Sequence, residues 1–154
     1  MSNSKSKDKG TRAEYQVRDK LREATGLPWE RVPGSGGFDR AHSLVGDLYI
    51  PDMPYKHCIE VKHYKEDTLN SNLLNPTVSQ LEKFWQQTTR EAGEIGKQPL
   101  LVFKKDRGKW LVASEDEVMD GVGKILQFEF NDKILSISLL DEWLKLKHTE
   151  DFLE

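Results

Sequence analysis

Gly46-Asp47-Leu48-Tyr49-Ile50, then a turn through Met53-Pro54-Tyr55, then Cys58-Ile59-Glu60-Val61-Lys62, reads as two neighbouring strands carrying an aspartate, a glutamate and a lysine two residues on. Side chains alternate along a strand, so Glu60 and Lys62 leave one face while Ile59 and Val61 leave the other. The second face is apolar and belongs in a core. The first presents a carboxylate and an ammonium group, beside the Asp47 carboxylate if the strands pair. Oxygen ligands of this kind suit a hard divalent ion such as magnesium. Phosphoryl chemistry needs that ion together with a positioned base or cation near the attacked phosphate. The trio therefore points to metal-dependent phosphodiester hydrolysis. The alternative is a solvent-facing, salt-bridged patch made of the same three residues.

Upstream, Pro33-Gly34-Ser35-Gly36-Gly37 reads as a flexible or tightly turned loop. Its glycines permit close approach of backbone to a ligand. Arg31, Ser35, Arg40 and His42 flank or occupy it and make a phosphate-contacting lip, if the loop is not simply a surface linker. A short strand is expected at Trp29 to Val32. Before it, Ala13, Val17, Leu21 and Ala24 recur at helical spacing and predict an amphipathic helix from Gly10 to about Thr25, ending near Gly26. Glu14 lies on the flank of that helix. Residues 1 to 9 are polar and lysine-rich, without apolar periodicity, and are expected to form a flexible tail ahead of a single domain over 10–154.

Downstream of Lys62 the charged run His63 to Asp67 leaves the sheet, and Asn70 through Pro76 is a polar loop. Thr77 or Ser79 can cap a helix that runs through Leu81, Phe84, Trp85 and Thr88 to about Ala92. Its other side carries Gln80, Lys83, Gln86, Gln87 and Arg90, a face of amides and cations that can track a nucleic acid backbone or simply meet solvent. Pro99 to Phe103 and Trp110 to Val112 read as buried strands in a central position. A short helix or turn is expected at Glu115 to Gly121. Alternating segments follow at Ile125 to Phe130 and Ile134 to Leu139, joined by an Asn131-Asp132 hairpin turn, and Leu140 to Leu146 closes as a short helix.

The whole chain bounds these readings. Its 154 residues, 36% hydrophobic and 32% charged, fit one domain with a sizeable core and a heavily solvated surface. No run approaches the roughly eighteen apolar residues of a membrane span, so the expected location is cytoplasmic, with no membrane partner. Cys58 is the only cysteine, which excludes an intramolecular disulfide. A net charge of −3 argues against a uniformly basic coat. It leaves DNA binding open, because partners respond to where charge sits. Acidic groups gather late, at Glu115-Asp116-Glu117 and Asp141-Glu142, whereas lysine and arginine are prominent early. No repeat, zinc-type cysteine pair, phosphate-binding glycine loop or dinucleotide fingerprint is present.

Within the proposed site, Asp47 and Glu60 are the candidates to hold magnesium, with the backbone carbonyl of Val61 as an extra oxygen ligand. Lys62 can stabilise the transition state or orient the attacking water. Glu14 could reach the same cleft from the first helix.

The order Gly10-Thr11-Arg12-Ala13-Glu14, Arg31-Val32-Pro33-Gly34-Ser35-Gly36, Gly46-Asp47-Leu48 and Ile59-Glu60-Val61-Lys62 resembles the archaeal and phage Holliday junction resolvases of the restriction-endonuclease-like PD-(D/E)XK nuclease superfamily. The resemblance covers about residues 9 to 113. It implies an α/β fold with a central mixed β-sheet flanked by helices, a homodimer, and magnesium-dependent paired nicking of branched DNA in recombination or repair, with manganese as a substitute ion. By position, Glu14 is then the helix-borne acid, Asp47 and Glu60 the metal ligands, Lys62 the catalytic lysine, Ser35 a loop serine near the scissile strand and Gln80 a supporting helix residue. Gly46 stands where the superfamily motif has proline. From Ser114 onward the chain has no counterpart, and the expected extra β-hairpin and short helix could build a different dimer interface. A phage or mobile-element source fits the same likeness. Two other readings remain: a restriction- or repair-type nuclease acting on duplex DNA, and a noncatalytic DNA-binding protein that keeps the fold.

Overall fold

The computed structural model describes residues 2–33, 44–115 and 121–154, with backbone alone for 2–7. Helix α1 spans Ser2–Thr25, followed by the short strands β1, Glu30–Arg31, and β2, Leu48–Tyr49. Strand β3 is His57–Tyr64, helix α2 is Gln80–Glu94 and strand β4 is Gln98–Lys105. Then come β5, Leu111–Glu115, β6, Leu126–Phe130, β7, Lys133–Leu139, and helix α3, Leu140–Lys145. Short 3₁₀ turns cover Ser71–Leu74 and Thr149–Phe152.

The strands form one seven-stranded sheet in the order β1-β2-β3-β4-β5-β7-β6. Only β3 and β4 run parallel among the paired neighbours, and α2 is the crossover that this requires. The result is an α/β fold with a mixed sheet, helices on both faces, and a C-terminal hairpin extending one edge. Period-two alternation divides the core. On one side Ile59, Val61, Leu100 and Val102 pack with Val17 and Leu21 of α1 and Trp143 of α3. On the other, Leu101, Phe103, Leu135 and Ile137 pack with Leu81, Phe84 and Trp85 of α2. Glu60 and Lys62 therefore emerge on the α2 side.

Local chemistry sets the boundaries. Ser79 caps α2: its Oγ accepts the Glu82 N–H at 3.3 Å while Glu82 Oε1 accepts the Ser79 N–H at 2.8 Å. The β6–β7 turn has Asn131 and Asp132 at φ 51° and 63°, the two positive values a two-residue primed turn demands. Helix α1 starts at Ser2, ahead of the Gly10 start that the apolar periodicity predicts, and Lys9 near its beginning pairs with Asp106 at 2.5 Å. The expected structure at Glu115 to Gly121 falls largely on 116–120, outside the described residues.

One buried group has a pH consequence. His57 is 3% exposed and lies against the rings of Trp143 and Phe152, and neither ring nitrogen has a partner among the described residues. Burial first, then the ammonium groups of Lys56 and Lys147, lowers its pKa to about 4, with Asp151 opposing. An unfolded histidine takes a proton near 6.5, so below that pH the unfolded chain binds a proton that the fold refuses. Stability is expected to fall as pH drops from about 6.5 to 4, by about 3 kcal/mol from this group, and then to level off. Urea unfolding at pH 7 and 4.5 should show a smaller acid loss in His57→Gln than in wild type; equal losses would contradict this.

Candidate active site

Asp47 is held by its own backbone as well as its side chain. Its N–H donates to Ile59 O at 2.8 Å, its carbonyl accepts from Val32 N at 2.9 Å, and Oδ2 accepts the Val61 N–H at 2.7 Å. Gly46 immediately before it sits at φ +87°, where a Cβ would meet Cys58 Sγ at 2.9 Å and Ile59 O at 3.1 Å. A proline, locked near −65°, cannot occupy this backbone. The superfamily's proline position is therefore glycine here for a conformational reason.

Glu60 is 3% exposed, and its carboxyl lies 4.0 Å from the Lys62 ammonium. Burial raises its pKa far above the ordinary carboxylate range, helped by the neighbouring carboxyls of Asp47 and Glu91. Asp47 is also raised by burial, against the opposing pull of the Val61 N–H. Glu91 comes from the buried flank of α2. Its Oε1 accepts from Gln87 Nε2 at 3.3 Å, while its buried Oε2 has no hydrogen-bond partner. Carboxyl groups in contact without donors between them need a proton or a cation. Glu91 was not among the residues the sequence singled out. The signal was present, because Phe84, Thr88 and Glu91 recur at the spacing of one helix face.

Glu14 is brought to the same cleft from the fourth turn of α1. Its pKa is raised to about 7 by burial first and Asp47 second, while Arg31 and Lys62 pull it down. Arg31 Nε lies 3.3 Å from its Oε1. Glu14, Arg31, Asp47, Glu60, Val61 and Lys62 all line one open cleft of about 1020 Å³, whose wall also carries Lys9, Lys65 and Arg90. Gln80 lies elsewhere, in a neighbouring hollow, and Lys83 is an exposed residue of α2 that lines neither space. Ser35, Arg40 and His42 lie outside the described residues.

Among the described residues, no three His, Cys, Asp or Glu side chains are placed to hold a metal ion by themselves. The donor set nonetheless fits a hard divalent ion. Two adjacent carboxyls are strained by burial, a third has a bare oxygen nearby, and such ions complete their shell with water and phosphate oxygens.

A mixed sheet that carries Glu60 and Lys62 on a central strand, with Asp47 at the entry to the neighbouring one, is the framework of a PD-(D/E)XK nuclease. The family described as "Phage putative PDDEXK endonuclease" matches residues 5–149, and this chain belongs to it. Nucleases of this class generally work with divalent metals. Protein D14 of Escherichia phage T5 is 47% identical over 156 residues, covering 97% of this chain and 98% of D14. Among solved structures, the Holliday junction resolvase Hjc of Archaeoglobus fulgidus is 21% identical with a TM-score of 0.42, over 88% of this chain and 87% of Hjc. No helix among the described residues is long and apolar enough to cross a membrane.

Proposed function

We propose that this endonuclease is a magnesium-dependent enzyme that nicks branched DNA and resolves four-way junctions as a homodimer, with manganese able to replace magnesium. The observation that carries the catalytic reading is the convergence of Asp47, Glu60, Lys62 and Glu14 in one cleft with basic groups on its wall. Asp47 and Glu60 would hold the ion, with the Val61 carbonyl as a further oxygen. When bound, the ion supplies Lewis-acid stabilisation of the charge that develops on the attacked phosphate.

The remaining work falls to the chain itself. Lys62 lies on the strand face that carries Glu60 and meets phosphate charge or orients water. The Val61 N–H fixes one Asp47 oxygen, which sets the carboxylate's orientation. Arg31 restrains Glu14 at the cleft edge. Two copies related by two-fold symmetry would present two identical cutting sites, which is what symmetric strands at a junction require.

The test compares a labelled four-way junction with a linear duplex of the same arm sequence in magnesium, using wild type and Lys62→Ala. The junction should be cut at least about tenfold faster, and the variant should lose about 10²–10³ in rate while still binding the junction. Equal cutting of both substrates would replace the junction reading with a duplex nuclease. Wild-type cutting by Lys62→Ala would remove that residue's role, and junction binding without cutting by wild type would favour the noncatalytic reading.

A further inference from the structure

Next to the catalytic cleft lies a separate hollow of about 420 Å³ at the end of β3, bounded by the loop that leads to α2. Tyr64 and Lys65 line both spaces, so the two are neighbours across these side chains. Tyr64 is 45% exposed, unusual for an aromatic side chain at the end of a central strand. Its ring leans on Phe84, with centroids 4.7 Å apart and planes at 41°, and the Lys62 ammonium lies 5.5 Å from the same Phe84 ring. Phe84 thus fixes both the lysine of the active site and an exposed aromatic surface beside it. Along a strand, side chains two apart are separated by about 6.6 Å, so Tyr64 stands roughly one nucleotide from Lys62.

The rest of the hollow favours a neutral planar group over a phosphate. Its charged lining is Lys65 against Glu66 and Asp67, a net negative balance that disfavours an anion inside. Asn72 and Gln80 bring amides of the kind that pair with base edges; the Asn72 Oδ1 accepts from Asn75 Nδ2 at 3.4 Å, which turns its NH₂ to serve as the donor. Asn70 serves the loop instead: its side chain accepts the Asn72 N–H at 2.9 Å and donates to Asp67 O at 2.5 Å. The Gln80 side chain makes no hydrogen bond with a described group and is available to a ligand.

We propose that this hollow receives one unpaired nucleobase of the DNA substrate, stacked on Tyr64 and read by Gln80 and Asn72, next to the phosphate held in the catalytic cleft. The inference rests on the nuclease reading and deepens it. A base must leave its stack to enter, which is easiest at a branch point or other unpaired position. The hollow thereby supplies a structural preference that the metal-binding carboxylates cannot. It also gives Gln80, remote from the acidic residues, a binding role of its own.

The experiment measures binding by fluorescence anisotropy in EDTA, using four-way junctions with a single abasic site placed in turn at each nucleotide within three of the branch point. Wild type should lose about fivefold or more in affinity at one of these positions, since a stacked base contributes on that scale. Tyr64→Leu keeps an apolar group over Phe84 but removes the stacking surface. It should bind the intact junction about as weakly as wild type binds the abasic one, and should be insensitive to the abasic site. Gln80→Ala, at an exposed helix start, should show the same insensitivity in part. Wild-type affinity indifferent to every abasic site, or Tyr64→Leu as sensitive as wild type, would overturn the proposal. Cleavage by wild type in magnesium is assayed separately: its absence would count against the catalytic reading, while the binding series judges the hollow.

Discussion

Replacing Glu60 by glutamine is expected to abolish cleavage and to stabilise the metal-free protein. Glu60 is almost fully buried beside Asp47, with Glu91 Oε2 bare in the same place. Its folded pKa lies far above its ordinary value. The sign follows from linkage: the fold holds a proton that the unfolded chain releases as pH rises past the ordinary glutamate range, so stability is lost as pH increases. Glutamine has the shape of the protonated acid, carries no charge, and offers an N–H to the bare Glu91 oxygen. The metal-free variant should therefore melt about 2–4 °C higher at pH 8, corresponding to about 1 kcal/mol, with a smaller gain at pH 5. Its cleavage rate should fall at least about 10³-fold, because a ligand is lost. Calorimetry in EDTA and single-turnover cleavage check the two halves. A lower melting temperature would show that the carboxyl cluster is not in electrostatic conflict.

Gly46→Ala is expected to act in the opposite sense on stability and the same sense on rate. At φ +87° an L-residue is strained, and the new methyl would meet Cys58 Sγ at 2.9 Å and the Ile59 carbonyl oxygen at 3.1 Å. The sulfur can shift slightly; the carbonyl cannot, because it accepts the Asp47 N–H. The combined cost is about 2–3 kcal/mol, and the melting temperature should fall by about 5–10 °C. Relief of the clash moves Asp47, and a displacement of about 1 Å at a catalytic group lowers rates by about 10²-fold. Adding Cys58→Ala should recover only part of the stability. Full recovery would assign the whole effect to the sulfur contact and none to the backbone.

These effects trace back to features with very different visibility in the sequence. Strand β3 was legible because Ile59 and Val61 alternate with Glu60 and Lys62, and the observed sheet keeps that alternation. The Ser79 cap and the Asn131-Asp132 turn were legible because few residue types satisfy their local chemistry. Glu91 was missed because a charged residue beside Gln87 and Arg90 looks like part of a solvent face. Only the heptad relation to Phe84 places it inward, and only the packing of α2 on β3 brings it to Glu60. Gln80 illustrates the converse, since spacing placed it on α2 but could not show that the helix start faces a different hollow. Strands β1 and β2 were expected within Trp29 to Val32 and Gly46 to Ile50, but at two residues each they are shorter than those readings and carry no periodicity that would fix their partners. Their place in the sheet is decided by pairing with each other and with β3.

The most direct measurement of the central claim is single-turnover cleavage of a labelled four-way junction, with magnesium and with EDTA, by wild type and Glu60→Gln side by side. The account predicts nicking by wild type in magnesium alone and none by the variant in either condition. Nicking by wild type in EDTA, or by Glu60→Gln at the wild-type rate, would contradict it.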